Sequence, residues 1–406
     1  MNIAFYIARR YIFSKKSHSA INIISLISVF GIFVSTTAMV IVLSAFNGIE
    51  GLVEDLFSSF DPSIKITIRT GKTFEDDAIN LNQLKSVKGV ENVAKVIEEV
   101  TMLKHGEQWI TATLKGVDSN FFDVCNISNA MTEGNAILYK DGFENTIIGL
   151  GIQNKLQVTS DPRYSNSVTA YGLLRHKKLS KNNKKAFKPL ILTVSGVFSI
   201  NPEFDNQYMI TSLNYAKNLF EYGNAITALE ISLSDNVDAN SVKKEIEKQI
   251  GNQYLVKTRY EQNELIFKTN ETEKWMVFLI LGFILILSTF NIIASISMLL
   301  FDKQKDIKTL ISMGATKQLI QQIFFLEGLF INLLGGILGI LTGLFIAFLQ
   351  VRYHFVELQN SVIDYWPVEI KLDDILLVLT TVVTIGLLSS YLPVKYLIRK
   401  QFSDSF

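Results

Sequence analysis

The residues best equipped for chemistry are few and far apart. The four histidines, His18, His105, His176 and His354, stand in different regions, and Cys125 is the single cysteine. The chain therefore offers no His/Cys cluster with zinc spacing and no internal disulfide. There is no H-E-x-x-H pair and no G-x-S-x-G elbow. No G-x-x-x-x-G-K-[ST] loop occurs either. The nearest run, Met313-Gly314-Ala315-Thr316-Lys317, lacks the second glycine and the Lys-Ser/Thr ending, so ATP is not held through that cradle. Glu327 is the one ionisable residue inside an apolar run. A carboxylate there suits an ion or proton site or a pairing contact, or else a helix face turned to protein or reaching the interface. No apolar run holds the pair of acids that an intramembrane protease dyad needs. The expectation is a chain that is not an enzyme and binds no metal.

These residues sit in a chain whose apolar content is concentrated. Of its 406 residues 48% are hydrophobic, and the runs 21–46, 275–301, 319–349 and 375–392 carry almost no charge. Each can cross a hydrocarbon core of roughly 30 Å as a helix. The first is too long for a signal-peptide core and is read as a retained span. Arg9, Arg10, Lys15 and Lys16 precede it, Lys303, Lys305, Lys308 and Lys317 separate the second and third, and Lys395, Arg399 and Lys400 follow the fourth. The loop 351–374 is acidic instead, with Glu357, Asp364, Glu369, Asp373 and Asp374. This asymmetry places both termini and 302–318 in the cytoplasm and the long stretch between the first two spans outside. The net charge of +1 gives no pull toward nucleic acid.

The expected fold class is an α-helical membrane protein with four transmembrane helices plus a large extracytoplasmic α+β domain inserted between helices 1 and 2. In order, an interfacial amphipathic segment (1–19) leads to a first span (20–47) and the outer domain (48–272). A second span (275–301), a cytoplasmic segment (302–318) and a third span (319–350) follow, then an outer loop (351–374), a fourth span (375–393) and a cytoplasmic tail (394–406). Ile49, Leu52, Val53, Leu56, Phe57 and Phe60 prolong the first span as a stalk until Asp61-Pro62 breaks it. Alternation then predicts strands at 64–68 and 93–100, a hairpin over 102–114 turning at His105-Gly106-Glu107, and a helix over 76–87. An arm, 162–189, carries Arg163, Arg175, Lys177, Lys178, Lys181, Lys184, Lys185 and Lys188 with no carboxylate. It reads as a solvated loop, or as a docking arm for an acidic partner or for anionic headgroups.

Several helical patterns need neighbours. In 302–318, Ile307, Leu310 and Ile311 form an apolar stripe closed by Gly314. It must lie on the membrane surface or in a groove of a cytoplasmic protein. At the N terminus Ile3, Ile7 and Tyr11 oppose Arg9, Arg10 and Lys16, which suits a helix in the inner interface or a basic lead-in that only sets topology. Gly335, Gly339 and Gly343 recur every four residues and let another helix approach closely, from this chain or a second one.

Taken in order, further motifs resemble a known family. They are Ile7-Ala8-Arg9-Arg10-Tyr11, Ile148-Gly149-Leu150-Gly151-Ile152-Gln153-Asn154-Lys155-Leu156, and Gly196-Val197-Phe198 followed by Asp205-Asn206-Gln207-Tyr208. Asp306-Ile307-Lys308-Thr309-Leu310 leading into Met313-Gly314-Ala315, and Phe325-Leu326-Glu327-Gly328 before the glycine ladder, continue the pattern. Over nearly the whole length the chain resembles the transmembrane subunit of the lipoprotein-releasing ABC transporter, the LolC/LolE family, within the wider MacB- and FtsX-like permeases. It departs from the family at Pro393-Val394-Lys395-Tyr396, which lacks the usual following Pro and Leu, and in the stronger basic character of the arm.

The resemblance implies a bacterial inner-membrane protein that binds no cofactor itself. A cytoplasmic ABC ATPase dimer would bind ATP and Mg, and a second permease chain, homologue or copy, would complete the assembly among membrane lipids. The cargo would be a lipoprotein substrate, handed to a periplasmic lipoprotein carrier. By the same resemblance Ile307, Leu310, Ile311, Met313 and Gly314 form a coupling helix for the ATPase. Arg163, Arg175, Lys177, Lys178, Lys184 and Lys185 fall where a carrier-binding hook lies, and Met39, Leu43, Phe46, Phe278 and Phe283 line a cavity for acyl chains. The alternatives are an FtsX-like mechanotransmitting signalling permease, whose outer domain tends to be much smaller, and a MacB-like efflux permease, whose ATPase is usually fused on the same chain.

Overall fold

A computed structural model describes residues 3–12, 19–140, 142–161, 163, 166–174, 187–234, 237–358 and 365–403. The chain divides into two compact units, Val53–Phe267 and a second built from Met1–Leu52 with Lys268–Phe406. It opens with α1 (Ile3–Ile12) and α2 (Ser19–Ser58), the latter ending just before the Asp61-Pro62 break.

β1 (Ile64–Ile68), β2 (Phe74–Glu75) and the short α3 (Leu81–Lys85) come next. The helix expected over 76–87 is confined to its second half, because the Asn80 side chain accepts from the Asn82 and Gln83 amides and caps it there. β3 (Val90–His105) and β4 (Gln108–Val117) form one long hairpin, so the separate strand at 93–100 and hairpin at 102–114 merge. No Gly or Pro interrupts the run before Gly106, whose φ of +56° makes the turn. α4 (Phe121–Val124), β5 (Met131–Gly134), β6 (Tyr139–Lys140), β7 (Phe143–Gly149) and α5 (Leu150–Leu156) follow. β8 (Ser167–Leu173) and β9 (Phe187–Phe198) flank the basic arm. After them come α6 (Pro202–Gln207), β10 (Tyr208–Ser212), α7 (Leu213–Phe220) and β11 (Ala225–Ile226). β12 (Ala228–Leu233), α8 (Ala239–Ile250), β13 (Tyr254–Thr258) and α9 (Arg259–Gln262) complete the region.

Among the described residues the main sheet runs β13-β1-β12-β3-β4-β10-β7-β9-β5, with β6 on β7 and β8 bridging β3 and β9. Strand alternation gives it two faces. On one, Val93, Ile97, Leu103 and Leu114 pack with Leu84 of α3, Ile152 of α5, Leu219 of α7 and Ile246 of α8. On the other, Ala94, Val96 and Val117 pack with Phe57, Phe60, Phe121 of α4 and Phe204 of α6. The second face also buries charge. The Lys115 ammonium lies 3.0 Å from Glu230, both side chains almost fully buried, and sits 4.4 Å over the Phe60 ring and 4.9 Å over Phe121. Lys65 reaches Glu98 at 2.5 Å and Glu230 at 3.6 Å, and the Tyr208 hydroxyl donates to Glu98 at 2.9 Å. Neither Glu230 oxygen accepts a well-directed hydrogen bond among the described residues, so Coulomb attraction holds this pair. Burial opposes the charge on Glu98, but Lys65 and then Lys115 outweigh it and bring the carboxyl down to about 2.

The chain then forms α10 (Glu264–Asp302), α11 (Gln304–Ser312), α12 (Lys317–Tyr353) and α13 (Leu372–Ser403). Among the described residues Ile23–Ser58, Glu264–Asp302, Lys317–Tyr353 and Leu372–Arg399 are long and apolar enough to cross a membrane. Such segments are helical because lipid offers nothing to unpaired peptide groups. α12 organises the packing of this unit. A Cβ on Gly335 would stand 2.7 Å from the Val29 carbonyl oxygen of α2, and one on Gly339 2.8 Å from that of Phe33. The Thr37 hydroxyl donates to the Gly339 carbonyl at 3.2 Å. The glycine ladder thus serves packing within the chain. Asn332 donates to the Val382 carbonyl of α13 at 2.9 Å, in space that Gly386 leaves open. α1 meets α12 through Ala4 and Ala8 against Ile323, with Phe5 edge-on to Phe330. Ala4 and Ala8 are buried in this contact and Ile7 packs beside them half-buried, while Ile3 is left exposed; small residues admit a helix at close range.

Removing one partner of the buried pair is expected to cost more than removing both. Glu230→Leu alone should destabilise the unit Val53–Phe267 by about 3–5 kcal/mol, and Lys115→Met with Glu230→Leu by clearly less, because only the single change strands a buried charge. Denaturant unfolding of the full chain followed by tryptophan fluorescence checks this; an equal cost contradicts it. Glu98, held at about 2 against its ordinary 4.5, contributes fully above pH 4.5 and loses its contribution as pH falls toward 2. The unfolding midpoint should fall through that window in the wild type and less steeply in Glu98→Gln.

Candidate functional site

α11 follows α10 after Lys303 alone and closes at Gly314, whose φ of +92° turns the chain back. The Gly314 amide donates to the Ile311 carbonyl and the Ala315 amide to that of Leu310, both at 2.9 Å. Thr316 then caps α12 by accepting from the Leu319 amide. Burial divides the apolar stripe. Ile307 is 8% exposed and belongs to the core shared by α2, α10, α12 and α13, and Leu310 is half-buried beside Ala4, Ala8 and Ile323. Ile311 and Met313 are 40% and 70% exposed. The free edge is therefore Ile311 and Met313, bordered by exposed Lys305 and Lys308. The expectation that Ile307 and Leu310 present the same open stripe is corrected: spacing defines a common side, and neighbours in the same chain cover half of it.

The residues expected around an acyl cavity do not converge on one space. Met39 is core, Phe46 is half-buried, and Phe283 points outward. Leu43 and Phe278 do meet, with Trp275 and Leu377, at a cavity of about 210 Å³ whose polar wall is Glu50, Asn270, Glu271, Lys274 and Asp374. Part of that wall is a clamp that spacing alone did not indicate. The Lys274 ammonium donates to Asn47 Oδ1 at 2.8 Å and to Asp374 Oδ2 at 3.1 Å, while Asn47 Nδ2 donates to the same carboxylate at 2.6 Å. The three residues join α10, α2 and α13. Lys371 donates to Glu50 at 3.0 Å; burial opposes its charge, but the Glu50 bond and charge outweigh this and push its pKa up. The Glu369 amide donates to the Ser44 carbonyl at 3.0 Å, and Gly48 lies so close to the Pro367 backbone that any side chain would collide. A lysine, an asparagine and an acid at matching ends of three spans were the available signal, usable only once the helix registers are known.

The basic arm is described only near its ends. Arg163 is exposed and paired with Asp161 at 2.7 Å, whereas Arg175, Lys177, Lys178, Lys184 and Lys185 lie outside the described residues. Its base is the β8–β9 ladder, where Leu173 pairs with Phe187. Glu327 is 4% exposed and turned into the helices, with one oxygen lacking a hydrogen-bond partner among the described residues. No group of His, Cys, Asp and Glu suited to a metal occurs among those residues. Cys125 is buried, its thiol donating to the Phe60 carbonyl at 3.2 Å, and burial reinforced by Glu230 pushes its pKa up.

Spanning helices joined to a large mixed α/β unit define a multi-pass membrane protein with a separate polar domain. Residues 25–249, more than half the chain, match the MacB-like periplasmic core domain, and residues 278–402 match the FtsX-like permease C-terminal. The chain belongs to the family of permeases with a MacB-like periplasmic core domain. It is 25% identical to the lipoprotein-releasing system transmembrane protein LolC of Buchnera aphidicola subsp. Schizaphis graminum, covering 98% of this chain and 96% of that one. With LolC of Neisseria meningitidis serogroup B identity is 24%, over 92% and 91% of the two chains. LolE of Haemophilus influenzae is 21% identical over 97% and 96%. The LolC/LolE resemblance read from the motifs thus extends along most of the sequence. The periplasmic region of MacB from Actinobacillus actinomycetemcomitans is a structural neighbour with a TM-score of 0.36 and 14% identity, covering 53% of this chain and 97% of that one.

If the clamp fixes the ends of α2, α10 and α13, Lys274→Met should leave the chain inserted but lower its stability in detergent by about 1–3 kcal/mol. Asp374→Asn, which keeps an acceptor, should cost less. Melting followed by circular dichroism measures both, and unchanged melting of Lys274→Met contradicts the clamp.

Proposed function

We propose that this chain is the non-catalytic permease subunit of an ABC transporter that extracts lipoproteins from the inner membrane and passes them to a periplasmic carrier. A separate cytoplasmic ATPase dimer holds ATP and Mg, and a second permease chain, homologue or copy, completes the machine. The observation that carries this reading is the likeness to LolC and LolE over nearly the full length of both proteins. The distribution of basic residues supports a topology with both termini and α11 in the cytoplasm and Val53–Phe267 in the periplasm, between the first two spans.

On this reading the ATPase seats against Ile311 and Met313, with Leu310 at the margin. Ile307 anchors α11 to the spans, and Gly314 ends it in a tight turn, so that displacement of α11 moves the helices with it. The Asn47-Lys274-Asp374 clamp ties α2, α10 and α13 together at their periplasmic ends, so these helices move as a set. The exposed side of α10, including Leu279, Ile280, Phe283 and Ile284, serves acyl chains and the second permease chain. The arm bearing Arg163, Arg175, Lys177, Lys178, Lys184 and Lys185 serves the carrier. Glu327 is assigned a packing role, facing protein. The full-length Lol relatives count against the signalling and efflux alternatives.

Reconstitution in vesicles with the partner ATPase and a triacylated lipoprotein tests the proposal. Release into solution should require both ATP and this chain, and Leu310→Asp should abolish release while ATP hydrolysis continues. Release no greater than with the ATPase alone overturns it.

A further inference from the structure

A groove between the first turns of α12 and the last turns of α13 has no part in that reading. Its volume is about 530 Å³. One wall is amide, from Gln318, Gln321 and Gln322, and these side chains make no hydrogen bond to the described residues. The other carries Lys395, whose ammonium lies 5.4 Å over the Tyr391 ring and has no ion-pair partner among the described residues. Phe325, edge-on to Tyr391, and buried Val394 form the apolar floor.

Unpaired amides are costly against lipid tails. The spanning helix begins at Lys317, so Gln322 lies only about 8 Å inside it at 1.5 Å per residue. That is the depth of headgroups and glycerol, where acceptor oxygens are plentiful. The lining holds one full charge, the Lys395 ammonium, and no carboxylate, while its three amides and the phenol can each donate to an acceptor oxygen. A matching ligand brings negative charge and acceptor oxygens at one end and a hydrocarbon tail at the other. A zwitterionic lipid brings in addition a cation, which would stand beside the Lys395 ammonium with no carboxylate in the lining to neutralise it.

We infer that the groove binds an anionic phospholipid of the surrounding bilayer. The phosphate lies against Lys395 and the glutamine amides, and the first methylenes lie on Phe325. On the topology proposed above, on which this one point rests, the lipid belongs to the inner leaflet.

The full-length chain in nanodiscs is titrated with spin-labelled phosphatidylglycerol and phosphatidylcholine, and the immobilised fraction is read by electron paramagnetic resonance. Phosphatidylglycerol should be held about fivefold more strongly, the size expected of one lysine at an anionic headgroup. Lys395→Glu should remove the preference and Lys395→Arg keep it. Gln322→Leu, a change that suits a helix in lipid, should weaken it, and Arg352→Glu at the far end of α12 should not alter it. Equal retention of the two lipids by the wild type overturns the inference. So does a preference that survives Lys395→Glu, or displacement of the lipid by inorganic phosphate, which would mark a free-anion site. Neither ATPase nor lipoprotein is present, so this result and that of the release assay are independent.

Discussion

The membrane unit depends on the missing side chains of Gly335, Gly339 and Gly343. Within a bilayer there is no hydrophobic drive for one apolar helix to join another, so association rests on close packing and on hydrogen bonds that lipid cannot supply. The ladder brings the α12 backbone against that of α2, near enough for the Thr37 hydroxyl to reach the Gly339 carbonyl. With that seam set, α12 receives α13 on another side through Asn332 and Gly386, and α1 through Ile323. Ile307 joins the same core, so α11 is fastened to the spans while its outer edge stays free.

The two units handle charge differently, and their surroundings explain why. In Val53–Phe267 the Lys115-Glu230 pair is buried between the sheet and the rings of Phe60 and Phe121, with Lys65, Glu98 and Tyr208 beside it. Such a pair adds little net stability but penalises any arrangement that separates its members. In the membrane unit the ion pairs stand at the ends of helices, as Lys274 with Asp374 and Lys371 with Glu50. There, water and headgroups reduce the cost of holding charge, and the pairs can still fix which helix ends adjoin.

Much of this was legible in the sequence. The spans announce themselves because each needs about twenty apolar residues and little else competes with that signal. The stalk and α11 were legible from helical spacing bounded by Asp61-Pro62 and Gly314. What spacing could not supply was the identity of the neighbour on each face. Ile307, Met39 and Leu43 have the composition of a binding surface, yet they lie in the chain's own core. Spacing put Ile3 and Ile7 on one side of α1, but not that Ala4 and Ala8 would be buried against Ile323 of α12 with Ile7 packed beside them. The clamp escaped because Asn47, Lys274 and Asp374 are ordinary polar residues at span ends until three registers bring them together. In the outer unit the Asn80 cap shortened one helix against its periodicity, and an uninterrupted β3 merged two expected elements.

In the proposed function a cytoplasmic ATPase meets α11 on its Ile311-Met313 edge. Cys125 is buried and its thiol pKa raised by burial, so an introduced cysteine is the reactive one. Met313→Cys and Ile307→Cys variants, assembled with the ATPase in membranes and treated with a thiol-directed cross-linker, test the claim directly. The account predicts a cross-link to the ATPase from position 313 and none from position 307. No cross-link from 313, or one as strong from 307, would contradict it.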